Sequence, residues 1–224
     1  MGSPLKVLTI DVGGNNVKVL VSGETEPRKF PSGPKLTPRK MVSGVKAITK
    51  DWKYDVVSIG YPGVVRKGRP SVEPFNLGKG WVGFSFRAAF RRPVKVVNDA
   101  VMQALGSYRG GTMLFLGLGT GLGAALVVNG HLVPLEIAHF PYGGKTIEDY
   151  LGTRGLESLG RARWRKVVGK VTEELVAAFL VDDVVLGGGN VKKLAAPPKG
   201  CRVGANSHAF LGGFRLWEDV SPKP

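Results

Sequence analysis

The pattern of apolar and polar positions along the chain occurs twice. The segment VLTIDVGGNNVKVLVSG begins at Val7, and the segment MLFLGLGTGLGAALVVNG begins at Met113. Each segment is an apolar run typical of a β-strand, a turn that carries glycines, and a second apolar run. The two align without a gap at an offset of 106 residues, which pairs Leu8 with Leu114, Ile10 with Leu116, Gly13 with Gly119, Leu20 with Leu126 and Val21 with Val127. The repeat predicts two similar halves, each beginning with a β-hairpin.

Along the whole chain, predicted strands alternate with predicted helices. The first half contains strands near residues 5–11, 17–22, 29, 55–60 and 94–98, and helices from Thr37 to residue 51, over FRAAF after Ser85, and over 99–108. The second half contains strands near 112–118, 122–129, 131–135, 183–186 and 201–203, and helices within 147–180, near 190–195 and near 206–217. Thr37 and Ser85 are typical N-cap residues. This alternation predicts an α/β fold with layered lobes.

Composition narrows the class of protein. The 224 residues are 43% hydrophobic and 22% charged, which is typical of a folded protein with ample chain for a core. We expect no membrane partner, because no apolar run reaches membrane-spanning length, and no signal peptide, because a strand begins at Leu5. The single cysteine, Cys201, excludes an internal disulfide and a multi-cysteine zinc site, and it predicts a reducing, cytoplasmic location.

The charge is the unusual property of the composition. Lys and Arg number 32 against 17 Asp and Glu, which gives a net charge of +15. A field of that sign attracts nucleic acid, anionic membranes or polyphosphate, although an inert basic surface is an equal alternative. A basic run at residues 161–166 (RARWRK), followed by Lys170, is interpreted either as a solvated helix face or as a track for polyphosphate.

The two glycine turns suggest phosphate chemistry. A glycine turn between two strands exposes backbone N–H groups that can surround a phosphate, although a single copy is better explained as an ordinary hairpin. Asp11 precedes the first turn, where a carboxylate can hold hydrated Mg²⁺ or simply shape the turn. Asp99 lies where a strand ends and a helix begins, a position that suits a general base but also a helix N-terminal carboxylate.

Taken in order, the motifs resemble a known family. They are IDVGGNNVK from Ile10, IGYPGVV from Ile59, EPFNLGKGW from Glu73, VVNDAVMQALGSY from Val96, LGLGTGLGAALVVNG from Leu116, PLEIAH from Pro134 and LGGGN from Leu186. Together they resemble the ROK sugar kinases, and within them the polyphosphate-using glucokinases. The resemblance spans nearly the whole chain, and VVNDAVMQALGSY is its most diagnostic part.

The resemblance implies a fold. It is the two-lobed actin-like, hexokinase-like ATPase fold, a ribonuclease H-like α/β architecture with duplicated lobes led by β-hairpins and a central cleft. We expect an N-terminal lobe at residues 1–109, rejoined by a C-terminal helix at 205–220, and a C-terminal lobe at residues 110–204.

The resemblance also implies roles for individual residues. Asp99 is the expected general base, and Asp11 the expected ligand of Mg²⁺ through water. The expected sugar contacts are Gly63, Asn76, Asn98, Asp99, Glu136, His139 and Glu148. The expected phosphate and donor contacts are Asp11, Gly13, Gly14, Asn15, Lys18, Gly119, Thr120, Gly121, Gly188 and Gly189. For Lys18, an exposed structural role is the simpler alternative, and Gly187 to Gly189 can also be a plain tight turn.

The chain departs from the family pattern in three places. Asn15 stands in the first phosphate turn, where the family usually has threonine, so the phosphate contact there can differ. Residues 140–146 (FPYGGKT) replace the three-cysteine zinc loop, so we expect no zinc. The segment between His139 and Gly187 is short, a property shared with the polyphosphate-using branch.

The expected function is phosphoryl transfer from polyphosphate or ATP to a hydroxyl of a hexose, with glucose favoured, in the presence of Mg²⁺. The partners are then a small sugar and a phosphoryl donor, and a homodimer is one assembly that the family allows. A catalytically impaired sugar-binding or regulatory protein is the alternative that Asn15 leaves open. A nucleic-acid-binding module is supported only by the charge; since no binding motif or platform of stacking aromatic residues is present, nucleic acid is not an expected partner.

Overall fold

The computed structural model describes residues 4–218, which form two compact units. One unit comprises residues 4–102 together with 209–218, and the other comprises residues 103–208. Residues 1–3, 219 and 220, which belong to the lobes expected from the sequence, lie outside the described residues.

The first unit is built on a five-stranded sheet in the order β3-β2-β1-β4-β7. The strands of this unit are β1 (Val7–Val12), β2 (Asn16–Val21), β3 (Arg28–Pro31), β4 (Val56–Tyr61), a short hairpin of β5 (Val65–Arg66) and β6 (Arg69–Pro70), and β7 (Val94–Asn98). β1 and β2 are antiparallel, as are β2 and β3, whereas β4 is parallel to both β1 and β7. The carboxyl ends of β1, β4 and β7 therefore share one edge of the sheet, where α/β folds bind ligands.

Helices cover both faces of this sheet. α1 (Pro38–Ile48) begins after the N-cap Thr37, and α2 (Phe86–Phe90) begins after the N-cap Ser85, as the sequence predicts. Their apolar side chains join those of β1, β2 and β4 in one core. The C-terminal helix, α6 (His208–Arg215), lies on the other face. Ser58 Oγ donates a hydrogen bond of 2.5 Å to Gly213 O in this helix. Thr9 lies so close to Gly213 that a Cβ there would collide with it.

The second unit repeats the strand order of the first. Its sheet has the order β10-β9-β8-β13-β14, and its strands are β8 (Thr112–Leu118), β9 (Leu122–Val128), β10 (His131–Leu135), a short hairpin of β11 (Pro141–Tyr142) and β12 (Lys145–Thr146), β13 (Asp183–Gly187) and β14 (Cys201–Val203). β8, β9 and β10 are antiparallel neighbours, and β13 is parallel to β8 and β14. The internal repeat thus extends from the two hairpins to the whole of both sheets.

The remaining helices are α3 (Asp99–Ser107), α4 (Ile147–Leu151) and α5 (Thr153–Phe179). α4 begins with a capping box, in which Thr146 and Asp149 each accept a hydrogen bond from the backbone N–H of the other. α5 consists of two helical stretches joined at Gly160, whose φ of 70° and ψ of 160° are not helical. Trp164, Val168 and Val171 of the second stretch are buried in the core of this unit.

The structure departs from the predicted elements in a few places. The two short hairpins at 65–70 and 141–146 are not predicted, because two-residue strands carry no detectable periodicity. The predicted helix near 190–195 is a single 3-10 turn at Val191–Lys193. Within residues 4–218, every helix is too short or too polar to cross a membrane.

Candidate functional site

The first glycine turn, Gly13 to Asn15, connects β1 to β2. Gly13 N donates to Asn16 O (3.0 Å) and closes the turn, while Ser32 lies beside it. Ser32 Oγ donates to Gly13 O (2.6 Å), and Ser32 N donates to Asn15 O (3.0 Å). Thus the first predicted phosphate turn is held by the residue that follows β3, which carries no sequence motif.

Asp11 and Lys18 face each other across the β1–β2 ladder that precedes this turn. Lys18 Nζ is 4.0 Å from Asp11 Oδ2. Burial raises the pKa of the Asp11 carboxyl, and the Lys18 ammonium opposes that shift. A mostly buried carboxylate with one distant cation is incompletely neutralised, which leaves it suited to a second positive charge.

Asp99 begins α3 directly after β7, as predicted. Ala100 N donates to Asp99 Oδ1 (2.8 Å) and to Asn98 Oδ1 (2.9 Å), so both side chains are oriented by the first turn of the helix. Asn98 Nδ2 donates to Gly63 O (3.1 Å), which joins two predicted sugar contacts directly. Gly60 lies nearby: a Cβ there would be in ordinary contact with Asp99 Cα (3.5 Å) and would displace the end of the Met102 side chain.

The loop of residues 71–82 brings Asn76 to the first glycine turn. A Cβ on Gly14 would lie 3.6 Å from Asn76 Cβ, so the predicted sugar contact lies against the predicted phosphate turn. Glu73 fixes the loop by accepting hydrogen bonds from the backbone N–H groups of residues 80, 81 and 82 at 3.0–3.2 Å. Tyr61 OH donates to Val72 O (2.8 Å), and burial raises the pKa of this tyrosine. The resemblance drew attention to this segment, but the anchoring role of Glu73 depends on contacts within the folded loop.

The second glycine turn, Gly119 to Gly121, connects β8 to β9. Gly119 N donates to Gly121 O (3.1 Å). Gly119 O accepts three hydrogen bonds, from Thr153 N (3.1 Å), Thr153 Oγ1 (3.1 Å) and Asn190 Nδ2 (2.9 Å). Thr153 N also lies 3.3 Å from Thr120 O. The start of α5 and the residue after the GGG segment therefore hold this turn together.

Glu148 lies at the same turn. Its Oε2 accepts a hydrogen bond from Leu122 N (3.0 Å), and a Cβ on Gly121 would collide with its carboxylate. Arg154 lies 3.4 Å from Glu148 and 3.1 Å from Asp149. The sugar contact expected of Glu148 stays a prediction, while the observed contacts place its carboxylate among the predicted phosphate-binding residues.

Gly188 and Gly189 follow β13 in the same unit. Gly188 has a φ of +84°, and a Cβ there would collide with the backbone of Leu118, so only glycine fits this approach. Asn190 N donates to Leu118 O (2.9 Å), just before the second glycine turn. The GGG segment is therefore packed against the end of β8, close to the donor contacts predicted there.

Glu136 and His139 bracket the 3-10 turn Ile137–His139 after β10, and both are exposed. The β11–β12 hairpin follows, and Tyr150 OH donates to Gly143 O (2.6 Å) at its tip. Within residues 4–218, His, Cys, Asp and Glu side chains form no group of three or more that could hold a metal ion. The sugar roles of Glu136 and His139, and the expected absence of zinc, stay predictions.

Only some of the basic side chains in the run at residues 161–166 of α5 are exposed to a ligand. Trp164 is buried and donates through Nε1 to Leu151 O (3.1 Å), and Arg165 Nε donates to Lys193 O (2.8 Å). Lys170 lies 3.9 Å from Glu174, one turn away. Arg161, Arg163 and Lys166 are exposed, so three cations of the run face solvent without an interleaved aromatic side chain.

Comparison with proteins of known sequence identifies relatives. A polyphosphate glucokinase of Mycobacterium tuberculosis (strain CDC 1551 / Oshkosh) is 27% identical over 206 residues, which cover 82% of this chain and 77% of the relative. A polyphosphate glucokinase of Mycobacterium leprae (strain TN) is 26% identical over 212 residues, which cover 86% of this chain and 62% of the relative.

Solved structures share the fold. An inorganic polyphosphate/ATP-glucomannokinase from Arthrobacter sp. strain KM superposes with a TM-score of 0.80 at 21% identity, covering 95% of this chain and 98% of that chain. A ROK family glucokinase from Streptomyces griseus, in complex with glucose and AMPPNP, gives a TM-score of 0.76 at 17% identity, covering 94% and 98%. The predicted α/β fold class, that of the ROK kinases, is confirmed. Because the family's sequence model matches residues 7–134, more than half of the 224 residues, this chain belongs to the ROK family.

Proposed function

We propose that this chain is a hexokinase-type kinase that transfers a phosphoryl group from polyphosphate or ATP to a hydroxyl of a hexose, with glucose as the expected acceptor. Its relatives in Mycobacterium are named polyphosphate glucokinases, and the enzyme class expected from the sequence agrees with those names. The structural neighbour from Arthrobacter is named for both donors, polyphosphate and ATP.

One observation carries the proposal: Asp11 and Asp99 lie at the same edge of the first sheet. The register pairs Asp11 of β1 with Gly60 of β4, and Gly60 with Val97 of β7, two residues before Asp99. The first glycine turn follows β1 at this edge. A carboxylate for a metal, a carboxylate for a proton and a phosphate turn are the parts that a sugar kinase requires.

Asp99 is assigned the role of general base. Its carboxylate accepts the proton of the sugar hydroxyl as the hydroxyl oxygen bonds to the transferred phosphorus. The bond between that phosphorus and the bridging oxygen of the donor breaks. The hydrogen bond from Ala100 N orients one carboxylate oxygen of Asp99. Asn98 Nδ2 donates to Gly63 O, and this hydrogen bond supports the proposal because it ties the loop expected to bind sugar to the residue before Asp99.

Asp11 is assigned the role of metal ligand. Mg²⁺ in kinases is held by one or two carboxylates together with substrate phosphates and water, so a single, partly exposed carboxylate beside a glycine turn fits it. Burial raises the pKa of Asp11, and a bound cation opposes that shift. When bound, Mg²⁺ neutralises charge on the phosphates. The expected donor contacts of the first unit are Gly13, Gly14, Asn15 and Lys18, and those of the second unit are Gly119, Thr120, Gly121, Gly188 and Gly189.

The test is an assay of the purified chain with Mg²⁺, a panel of hexoses, and ATP or polyphosphate as donor. The proposal expects sugar phosphate with glucose and at least one of the two donors. A chain that binds glucose but forms no sugar phosphate with either donor would instead be the sugar-binding or regulatory protein that Asn15 leaves open. Asn15 lies exposed at the tip of the first turn, so an Asn15→Thr variant tests directly whether the departure from the family pattern limits the rate.

A further inference from the structure

The same carbonyl group is held in both glycine turns. Gly13 O and Gly119 O occupy aligned positions of the repeat, 106 residues apart. Gly13 O accepts a hydrogen bond from Ser32 Oγ (2.6 Å), and Gly119 O accepts one from Thr153 Oγ1 (3.1 Å). A hydroxyl from outside the turn therefore binds the equivalent oxygen in each unit, although the two hydroxyls come from unrelated parts of the chain.

Holding a carbonyl fixes the N–H group of the same peptide. A trans peptide is planar, and its C=O and N–H bonds point in opposite directions. All peptide bonds of the described residues are trans. When the carbonyl of Gly13 points toward Ser32, the N–H of Gly14 must point away from it. The N–H of Thr120 is fixed in the same way, because the carbonyl of Gly119 points toward Thr153.

The second turn is held more firmly than the first. Asn190 Nδ2 donates to Gly119 O (2.9 Å) and to Thr153 Oγ1 (3.1 Å), so the two side chains that bind this carbonyl are also hydrogen-bonded to each other. Thr153 N is within 3.3 Å of Thr120 O, the next carbonyl along the turn. The N–H groups of Thr120 and Gly121 are thus both directed away from α5. Successive N–H groups directed to one side form a concave site for an anion.

We propose that Ser32, Thr153 and Asn190 are positioning residues that hold the two glycine turns with their N–H groups presented to the phosphoryl donor. They bind the turns from the protein side and do not contact the donor themselves. The proposal rests on the proposed function, in that it takes the ligand of these turns to be the phosphate chain of polyphosphate or ATP. Nothing in the sequence pattern marks Ser32 or Thr153, because both act on turns that lie 19 and 34 residues away.

The second turn gives the sharpest experiment. Thr153→Val removes the hydroxyl and keeps the shape, whereas Thr153→Ser keeps the hydroxyl. We expect the valine variant to raise the KM for the donor and the Kd for polyphosphate and for a non-hydrolysable ATP analogue by about fivefold, the effect of one lost hydrogen bond. The serine variant should restore both, and the KM for glucose should stay unchanged. Asn190→Leu should act in the same direction.

Thr172→Val is the matched control. Thr172 Oγ1 donates to Val168 O (2.7 Å) within α5, so this change also removes one hydroxyl-to-carbonyl hydrogen bond from the same helix, away from the turn. For the first turn, Ser32→Ala is compared with Ser22→Ala, since Ser22 Oγ accepts a hydrogen bond from Val7 N (3.0 Å) where β1 begins, at the end of that strand away from the turn. Donor binding should weaken in Ser32→Ala and stay constant in both controls.

Two results would overturn the proposal. One is unchanged donor KM and Kd in Thr153→Val and Ser32→Ala. The other is an equal loss of donor and glucose affinity, which would mean general destabilisation of the site. If Thr153→Val fails to fold, Ser32→Ala and Asn190→Leu decide the question. Failure of the proposed function is a separate outcome, because the binding measurements on the wild-type chain and the variants do not require turnover.

Discussion

At the scale of single residues, Asn98 has two structural tasks beside the proposed base. Its Oδ1 accepts hydrogen bonds from Ala100 N (2.9 Å) and Val101 N (3.3 Å), and its Nδ2 donates to Gly63 O (3.1 Å). The first two satisfy N–H groups at the start of α3, and the third ties the helix to the loop after β4. One side chain thus sets the distance between Asp99 and the loop expected to bind sugar.

Replacing Asp99 tests its role as base. We expect Asp99→Asn to lower turnover by about 10²–10⁴-fold, because an amide cannot accept the proton from the sugar hydroxyl. Folding and glucose affinity should change little, since the amide oxygen can still accept the hydrogen bond from Ala100 N. Asp55→Asn is the matched control, an exposed carboxylate that accepts a hydrogen bond from Lys6 N (2.9 Å). A variant that keeps more than half of the wild-type turnover would contradict the assignment.

Asp11 should make stability depend on pH in a defined direction. Burial raises its pKa in the folded protein above the ordinary value of 3.8. The unfolded chain therefore releases this proton at lower pH, and stability is lost as pH rises through the folded-state pKa. In metal-free buffer we expect Asp11→Asn to be more stable than the wild type at pH 7, by a difference that shrinks toward pH 4. Chemical denaturation across this range measures it.

Asp51 provides the control of opposite sign. Its hydrogen bonds to Arg28 lower the pKa of this exposed carboxyl to about 2, so its contribution is present above the unfolded-state pKa and is lost as pH falls. Asp51→Asn should therefore lower stability at pH 7, or leave it unchanged if solvent screens the pair. A destabilising effect of Asp11→Asn at pH 7 would refute the account of Asp11.

Glu136 and His139 are assigned to the sugar on the family motif alone. We expect Glu136→Gln and His139→Ala to raise the KM for glucose by about tenfold, the effect of losing a hydrogen bond to a charged group. The KM for the donor should stay within experimental error, because the second glycine turn does not depend on them. His131→Ala, an exposed histidine of β10, is the control. An unchanged KM for glucose in both variants would remove these residues from the site.

At the scale of elements, the sequence predicts the central strands well because β1, β4 and β8 are rich in apolar residues. The ranges Thr112–Leu118, Val94–Asn98 and Cys201–Val203 match the predictions, and most other strands differ by one or two residues. The residues that hold the glycine turns were not predicted. Ser32 and Thr153 act through contacts between segments distant in sequence, which local pattern does not encode. Asn190 was within a recognised motif, yet its contact with Gly119 appears only in the folded chain.

The break in α5 also lay beyond the sequence pattern, and it gives a prediction about stability. Gly160 has φ of 70° and ψ of 160°, a region that is almost restricted to glycine. We expect Gly160→Ala to lower the free energy of unfolding by about 1–3 kcal/mol. Gly169→Ala, in the regular part of the same helix and with open space around it, should raise that free energy by up to about 1 kcal/mol. Urea denaturation of both variants measures the two opposite signs, and a stabilising Gly160→Ala would contradict the break.

At the scale of the whole molecule, the net charge of +15 remains to be explained, and the exposed cations of α5 provide a test. We predict that long-chain polyphosphate supports transfer at least as well as ATP. The KM for polyphosphate should rise steeply between about 50 and 200 mM salt, because each neutralised phosphate releases counterions, whereas the KM for ATP should rise less.

Replacing Arg161, Arg163 and Lys166 with alanine should flatten the salt dependence of the KM for polyphosphate. Replacing the exposed Lys35, Lys50 and Lys53 removes the same charge and should not. Equal effects of the two triple variants would mean that net charge, rather than the exposed cations of α5, attracts the donor. Transfer from ATP with no product from polyphosphate would contradict the predicted donor, but the proposed kinase activity would stand.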